Sequence, residues 1–345
     1  MPLRTSDFDY ALPAELIAQH PSDERGTSRL LVVAREATGA PSPTDQTFSH
    51  LLDLIPSGDL LVLNTTRVRH ARFLGTRPSG AAAEVLLLHP GQNGHWIAFG
   101  RPGSALRAGK RVQIGAGAFI ETVAVLEDGY REVRFVGISA EAAIQQFGRL
   151  PLPPYIDRTP TAEDERRYQT VYAEREGSVA APTAGLHITP ELLVALERKG
   201  VEVARLDLEV GPGTFKPVEV EDPSTHPMHP EWYDIPDAAA VAITRLRARG
   251  GKLWAVGTTV VRSLESAALP DGTVRAGRAE TGLLITPGFR FQVVDHLITN
   301  FHLPRSTLLM LVAAFGGYDR VMAAYRHAVA SGYRFYSYGD AMVVV

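Results

Sequence analysis

Two short apolar runs, Arg29 to Ala34 and Leu60 to Leu63, are bounded by Gly, Pro and polar residues and predict buried strands. From Ala83 to Val136 the pattern changes to short alternating stretches, among them Glu84 to Leu88, His95 to Phe99, Arg111 to Ile114, Phe119 to Leu126 and Arg131 to Val136. Turns such as Pro90-Gly91 and Asp128-Gly129 separate them, and strands at that spacing predict a compact antiparallel barrel or sandwich. Ser139 then caps a short helix ending near Gly148.

Pro151 to Pro154 and the charged run Asp157 to Arg167 read as a long exposed loop at a domain junction. Beyond it the pattern becomes regular. Thr189-Pro190-Glu191 supplies an N-cap, an N1 proline and a first-turn acid, and Gly200 stops that helix before a strand from Val201 to Val210. Pro236 to Arg249 predicts a helix, Lys252 to Val256 a strand, Thr259 to Ala268 a helix and Phe289 to Ile298 a strand. Two helices close the chain, Pro304 to Phe315 and Asp319 to Ala330. Strands alternating with helices predict an α/β fold, a mainly parallel sheet with helices on both faces.

Composition narrows the class. The 345 residues are 45% hydrophobic and 21% charged, which describes a globular chain with enough apolar mass for substantial cores. There is no Cys, so disulfides, thiolate metal sites and a cysteine nucleophile are excluded. The N-terminus lacks a basic-then-apolar signal pattern, and the longest apolar runs, such as Leu308 to Phe315, fall far short of a membrane span. A soluble, cytoplasmic protein is expected. The net charge of -3 hides an asymmetry, because Arg67 to Arg111 holds eight Lys or Arg against one acid, Glu84. That stretch either faces phosphates or is a solvated surface.

Five segments could carry chemistry. Ala180 to His187 combines small residues with Thr183 and His187; an ordinary loop with a hydrogen-bonded histidine competes with a ligand site. Glu209-Val210-Gly211-Pro212-Gly213-Thr214-Phe215 is a glycine turn at the end of a predicted strand, where ligands collect in open α/β sheets, although a plain tight turn has the same signature. His226, His229 and Glu231 share a proline-rich loop whose spacing suits substrate contacts better than zinc. Gly257-Thr258-Thr259 opens a helix containing Arg262 and Glu265, a place for a carboxylate or phosphate, or else simple capping with a surface ion pair. Asp295 to Pro304 brings Asn300 and His302 to the same predicted rim. The C-terminal Tyr333 to Asp340 has the aromatic and charged mixture that stacks on bases, although aromatic strands also build cores.

In order and almost end to end, these segments resemble the S-adenosylmethionine:tRNA ribosyltransferase-isomerase family of queuosine biosynthesis. The resemblance is carried by Phe8-Asp9-Tyr10, Ser28 to Leu31, Asn64 with Thr66-Arg67-Val68 and Ala71-Arg72, Leu150 to Ile156, Tyr168 to Val171, the Ala180 to His187 loop and the glycine turn. It continues through Met228-His229 with Glu231, Gly257-Thr258-Thr259, Thr299 to Pro304 and Tyr333 to Asp340. Two departures stand out: Glu209 occupies a position where the family usually has His, and Thr65 one where it usually has Asp. Ile188 also replaces an aromatic residue.

The resemblance implies a discontinuous α/β catalytic domain, residues 1–66 and 151–345, carrying an inserted small antiparallel β-barrel domain, residues 67–150. It implies S-adenosylmethionine as a consumed co-substrate, no metal or redox cofactor, and a monomer. The acceptor would be 7-aminomethyl-7-deazaguanine at the wobble position of tRNAs for Asp, Asn, His and Tyr, and the products epoxyqueuosine in tRNA, adenine and methionine. Candidate acid-base groups are His187, His229, Glu231 and His302; candidate S-adenosylmethionine contacts are Thr183, Gly211, Gly213, Thr258, Thr259, Arg262 and Asn300. Candidate tRNA contacts are Arg67, Arg72, Arg334 and Tyr338. A methyltransferase using the same donor and a non-catalytic RNA-binding protein are the competing classes. The first would need a glycine-rich loop near the first strand, and the second leaves the titratable rim without a role.

Overall fold

Leu60-Leu61-Val62-Leu63-Asn64 is buried at all five positions because both faces of its strand are covered. Leu60 and Val62 enter one core and Leu61 and Leu63 the other, the alternation that a strand imposes. The structure, a computed structural model, describes residues 3–35, 42–127, 129–211 and 218–345. Gly213, and Asp128 of the expected Asp128-Gly129 turn, lie outside the described residues.

The large sheet contains β1 (Arg29–Val33), β2 (Thr44–Thr47), β3 (Leu60–Asn64), β12 (Glu202–Leu208), β13 (Glu231–Ile235), β14 (Leu253–Val256), β15 (Gly277–Thr281), β16 (His296–Asn300) and β17 (Ala341–Val344). Their spatial order is β15-β13-β12-β3-β14-β16-β17-β1-β2. The sheet is mixed rather than mainly parallel. The β12–β3, β3–β14, β14–β16 and β17–β1 pairs are parallel, whereas β15–β13, β13–β12, β16–β17 and β1–β2 are antiparallel. The antiparallel additions come from β2, β13, β15 and β17, whose sequences lie outside the stretches expected to form strands. The expected strand Phe289 to Ile298 is also shorter than its apolar pattern: only His296–Asn300 is paired, while Phe289 and Phe291 pack against the core from a loop.

Helices cover both faces. Helices α5 (Asp237–Ala248) and α6 (Thr258–Ser266) contact β3 and β12, and they share a core with α7 (Thr307–Gly316) and α8 (Tyr318–Ala330). The other face is closed by α1 (Leu51–Leu54) and α4 (Pro190–Lys199), with Phe48, Leu51 and Leu196 against Leu61, Leu63, Trp254 and Ile298. Thr189 caps α4 by accepting from Leu192 N–H at 3.1 Å, and Gly200 ends it at φ 93°. Among the described residues no single helix is long and apolar enough to cross a membrane.

A separate antiparallel sheet holds β5 (Arg72–Thr76), β6 (Ala82–Pro90), β7 (Trp96–Arg101), β8 (Arg111–Gly115), β9 (Ala118–Val125) and β10 (Arg131–Val136). Its pairings run β10-β7-β6-β5-β8-β9 and return to β10, closing a ring around Phe73, Val85, Leu87, Ala98, Val112, Ile120 and Val133. Helix α2 (Ala140–Phe147), capped by Ser139, packs on β10. A small parallel pair, β4 (Thr66–Val68) with β11 (Arg175–Ser178), joins this unit to the large sheet.

The charged run 157–167 is largely exposed, as expected, but it is not only a loop. Thr161 opens α3 (Ala162–Arg167) with a capping box, and Asp164 is fully buried. Arg158 holds Asp164 through two hydrogen bonds of 2.5 and 2.7 Å, and Tyr338 Oη donates to it at 2.7 Å. A buried carboxylate with that many donors stays ionised. Burial alone would raise its pKa, but the hydrogen bonds from Arg158, Thr161 and Tyr338 outweigh it and hold the group well below the usual carboxylate range.

Candidate active site

The ends of β3, β14 and β16 meet beside the turn Thr183–His187. Gly257, at φ 95°, lets β14 turn directly into α6, a conformation an L side chain rarely adopts. Asn64, fully buried at the end of β3, ties these pieces together. Its Oδ1 accepts from Thr66 N–H and Leu208 N–H, both at 3.1 Å, while its Nδ2 donates to Leu208 O and Thr259 Oγ1. Sequence reasoning gives Asn64 no role, and the signal available there is an amide ending an otherwise apolar buried strand.

Two cavities open here. The smaller, about 60 Å³, is lined by Thr183, Thr258, Thr259, Asn300 and His302 together with Tyr155, Ala180, Tyr336 and Leu308. The larger, about 500 Å³, is lined by Gly211, His226, Met228, His229, Glu231, Arg262 and again Leu308. The sequence-derived candidates are thus divided between adjoining spaces of different character, one with hydroxyls and an amide, the other with an ion pair and imidazoles.

Glu231 and Arg262 form a buried ion pair in the larger cavity. The other oxygen of Glu231 accepts from Gly211 N–H at 2.8 Å, fixing the start of the glycine turn. Arg262 also donates to the carbonyls of Leu283 and Thr281. Its guanidinium is therefore engaged by protein acceptors while still lining the larger cavity. It does not pair with Glu265, whose carboxylate accepts from the N–H groups of Gln292, Val293 and Val294. His229 is half-buried, with its ring 5.7 Å from that of Tyr130 on the smaller unit.

His187 lies behind the smaller cavity rather than in its wall. Its Nδ1 meets Ser28 Oγ at 2.8 Å and its Nε2 meets Asn300 Nδ2 at 3.0 Å. The Asn300 amide nitrogen also faces the carbonyls of Tyr336 and Asp340, so it is the donor and His187 Nε2 the acceptor. Burial, with Arg25 and Arg334 adding to it, pushes the imidazole pKa down to about 3. His187 is thus a neutral ring with both nitrogens occupied. His302 does line the cavity, and burial brings its pKa to about 3 as well. Its Nε2 is 2.7 Å from Thr299 Oγ1.

The expected tRNA contacts are differently placed. Tyr338 is buried, bonded to Asp164 and edge-on to Tyr168, so it is not available to stack on a base. Tyr333 and Phe335 are likewise core residues. Arg72 is held by Glu84 through bonds of 3.0 and 2.9 Å, Arg67 donates to Ala173 O at 2.5 Å, and Arg334 donates to His20 O. Arg101, Arg107 and Lys110 are exposed on the smaller unit, whereas Arg111 pairs with Glu121 at 2.5 Å.

The two departures lie away from both cavities. Thr65 Oγ1 donates to Asp207 Oδ1 at 2.9 Å, so the neighbouring strand supplies a carboxylate beside position 65. Burial raises the pKa of Asp207, opposed by Thr65 and Arg175. Glu209 pairs with Arg278 at 3.2 Å in a separate charged cleft with Arg175 and Trp232.

Comparison with known proteins agrees over the whole chain. Residues 5–344 match the family described as queuosine biosynthesis protein. The S-adenosylmethionine:tRNA ribosyltransferase-isomerase of Cupriavidus pinatubonensis is 50% identical over 99% of both chains, and that of Symbiobacterium thermophilum is 51% identical over 99% of this chain and 100% of its own. The crystal structure of S-adenosylmethionine tRNA ribosyltransferase from Thermotoga maritima is 36% identical, with a TM-score of 0.56, covering 99% of this chain and 100% of that one.

Proposed function

The chain belongs to the queuosine biosynthesis protein family, as an S-adenosylmethionine:tRNA ribosyltransferase-isomerase, and from that premise we propose how its two cavities divide the work. The acceptor is 7-aminomethyl-7-deazaguanine at the wobble position of the tRNAs for Asp, Asn, His and Tyr. The products are epoxyqueuosine in tRNA, adenine and methionine. The reading rests on the adjacency of the two cavities at Leu308: a hydroxyl- and amide-lined slot at a helix N-terminus beside a roomier space walled by imidazoles and an ion pair.

The N-terminal N–H groups of α6 with Thr258 and Thr259 suit the donor's carboxylate, because no acid stands in the first turn of that helix. The sulfonium acidifies the donor's 5′ carbon, and a base beside it starts the loss of adenine. The RNA's aminomethyl nitrogen then attacks that carbon, and closure to the epoxycyclopentane expels methionine, so no protein nucleophile is required. The protein's part is orientation, exclusion of water and proton transfer. Of the four acid-base candidates, His229 and Glu231 line the larger cavity and His302 the smaller, and the two imidazoles are the groups proposed to move protons. Glu231, with both oxygens engaged, acts by holding Arg262 and Gly211 in place. Residues 67–150 form the domain that presents Arg101, Arg107 and Lys110 to the RNA backbone.

The test is incubation with S-adenosylmethionine and an anticodon stem-loop bearing 7-aminomethyl-7-deazaguanine, followed by nucleoside mass spectrometry and adenine quantification. Epoxyqueuosine with stoichiometric adenine supports the reading. A methylated nucleoside with S-adenosylhomocysteine refutes it.

A further inference from the structure

Asn300 is 2% exposed, and its Oδ1 is buried without a hydrogen-bond partner among the described residues. Leaving such an acceptor unpaired costs about 1–3 kcal/mol. The amide cannot relieve this by flipping, since that would set its oxygen against the carbonyls of Tyr336 and Asp340, which its nitrogen now serves at 3.0 and 3.4 Å. Ser28, through His187, fixes the same orientation from behind. Asn300 is among the residues lining the smaller cavity and so carries a rigid, unsatisfied acceptor there.

The N-terminus of α6, with Thr258 and Thr259, lines the same cavity. Strands β14 and β16 pair in parallel with Val256 opposite Ile298, and Gly257 N–H donates to Ile298 O at 2.8 Å. The start of α6 and Asn300 thus sit at neighbouring strand ends, roughly 5 Å apart by strand spacing. An anion site and an N–H acceptor at that separation match the carboxylate and ammonium of one α-amino acid. His302 adds to the acceptor side. Thr299 Oγ1 donates to Asn300 O at 3.3 Å and so accepts from His302 Nε2, leaving Nδ1 with a lone pair.

We propose that the smaller cavity is an α-amino-acid clamp, in which the N-terminus of α6 binds the methionyl carboxylate of the donor and Asn300 Oδ1 accepts from its ammonium. This rests on the reading that S-adenosylmethionine is bound here, and it adds the residue that reads the amine. Among the described residues no carboxylate lines the cavity, so the bound zwitterion is neutralised by its own carboxylate and not by an acidic side chain.

The test is calorimetric binding, without RNA, of S-adenosylmethionine, its des-amino analogue and its decarboxylated analogue to the full-length protein. A hydrogen bond to a charged group is worth about 1.5–3 kcal/mol, so each analogue should bind roughly 10- to 100-fold more weakly. In Asn300→Ser, checked for folding by thermal melting, the penalty for losing the amine should shrink while the penalty for losing the carboxylate persists. Equal binding of S-adenosylmethionine and the des-amino analogue overturns the proposal, as does a folded Asn300→Ser that keeps the full amine penalty. If that variant fails to fold, the wild-type comparison decides. Turnover with modified RNA is read separately, so failure of the proposed reaction leaves these affinities interpretable.

Discussion

Glu231 and Arg262 are 31 positions apart in the chain, yet they close a buried ion pair whose second carboxylate oxygen secures Gly211. Removing one member of such a pair leaves the other charge buried and unmatched. Arg262→Ala is therefore expected to cost about 3–5 kcal/mol of stability, read by denaturant or thermal unfolding. Glu231→Gln keeps the shape and should cost less while still lowering turnover, since it loosens both Arg262 of α6 and Gly211. If Glu231→Gln abolishes turnover with unchanged stability and donor affinity, Glu231 is an acid-base group after all.

His187 and His302 set the acid side of the stability curve. Each has its pKa lowered from 6.5 to about 3, so each stays neutral in the fold and takes up a proton on unfolding below about pH 6.5. Between pH 6.5 and 3 the unfolded chain binds more protons than the folded one, so stability falls as the pH falls through that window. Melting temperatures measured from about pH 7 to about pH 4 should decline. His302→Asn should decline less steeply over the same range, and an identical slope would contradict this assignment.

Tyr338→Phe separates the core role of this side chain from RNA binding. It removes one donor to the buried Asp164 and should cost about 1–2 kcal/mol, with tRNA affinity unchanged. Weakened RNA binding without loss of stability would restore Tyr338 to the RNA surface.

Arg72 and the exposed basic residues should separate in salt titrations. Replacing both Arg107 and Lys110 with Gln should reduce the log–log salt slope of tRNA affinity by about 0.7–0.9 for each RNA phosphate that is no longer neutralised. Arg72→Gln should leave the slope unaltered, because Glu84 already holds that guanidinium.

The legible parts of the fold were those written in local pattern. Thr189-Pro190 and Gly200 mark the ends of α4, and the short alternating stretches mark the strands of the smaller unit. What the sequence did not reveal was pairing. Glu231–Ile235 and Gly277–Thr281 are the last two strands at one end of the sheet, their mixed polarity reads as loop, and their antiparallel pairing follows from tertiary packing alone. The candidate site was legible as a set of motifs but not as a set of roles. His187, Arg262 and Tyr338 carry groups suited to substrate chemistry, and each is taken by a partner distant in sequence: Ser28 for His187, Glu231 for Arg262 and Asp164 for Tyr338. Only the folded chain reveals that Asn300 Oδ1 is left without one among the described residues.

The most direct test of the central claim is to feed the protein S-adenosylmethionine labelled with carbon-13 in either the ribosyl or the methyl carbons, together with the modified stem-loop, and weigh the nucleoside formed. The expected product carries all of the ribosyl label and none of the methyl label, with one adenine released per product. A product carrying the methyl label, or none formed although donor and RNA both bind, would contradict the proposed reaction.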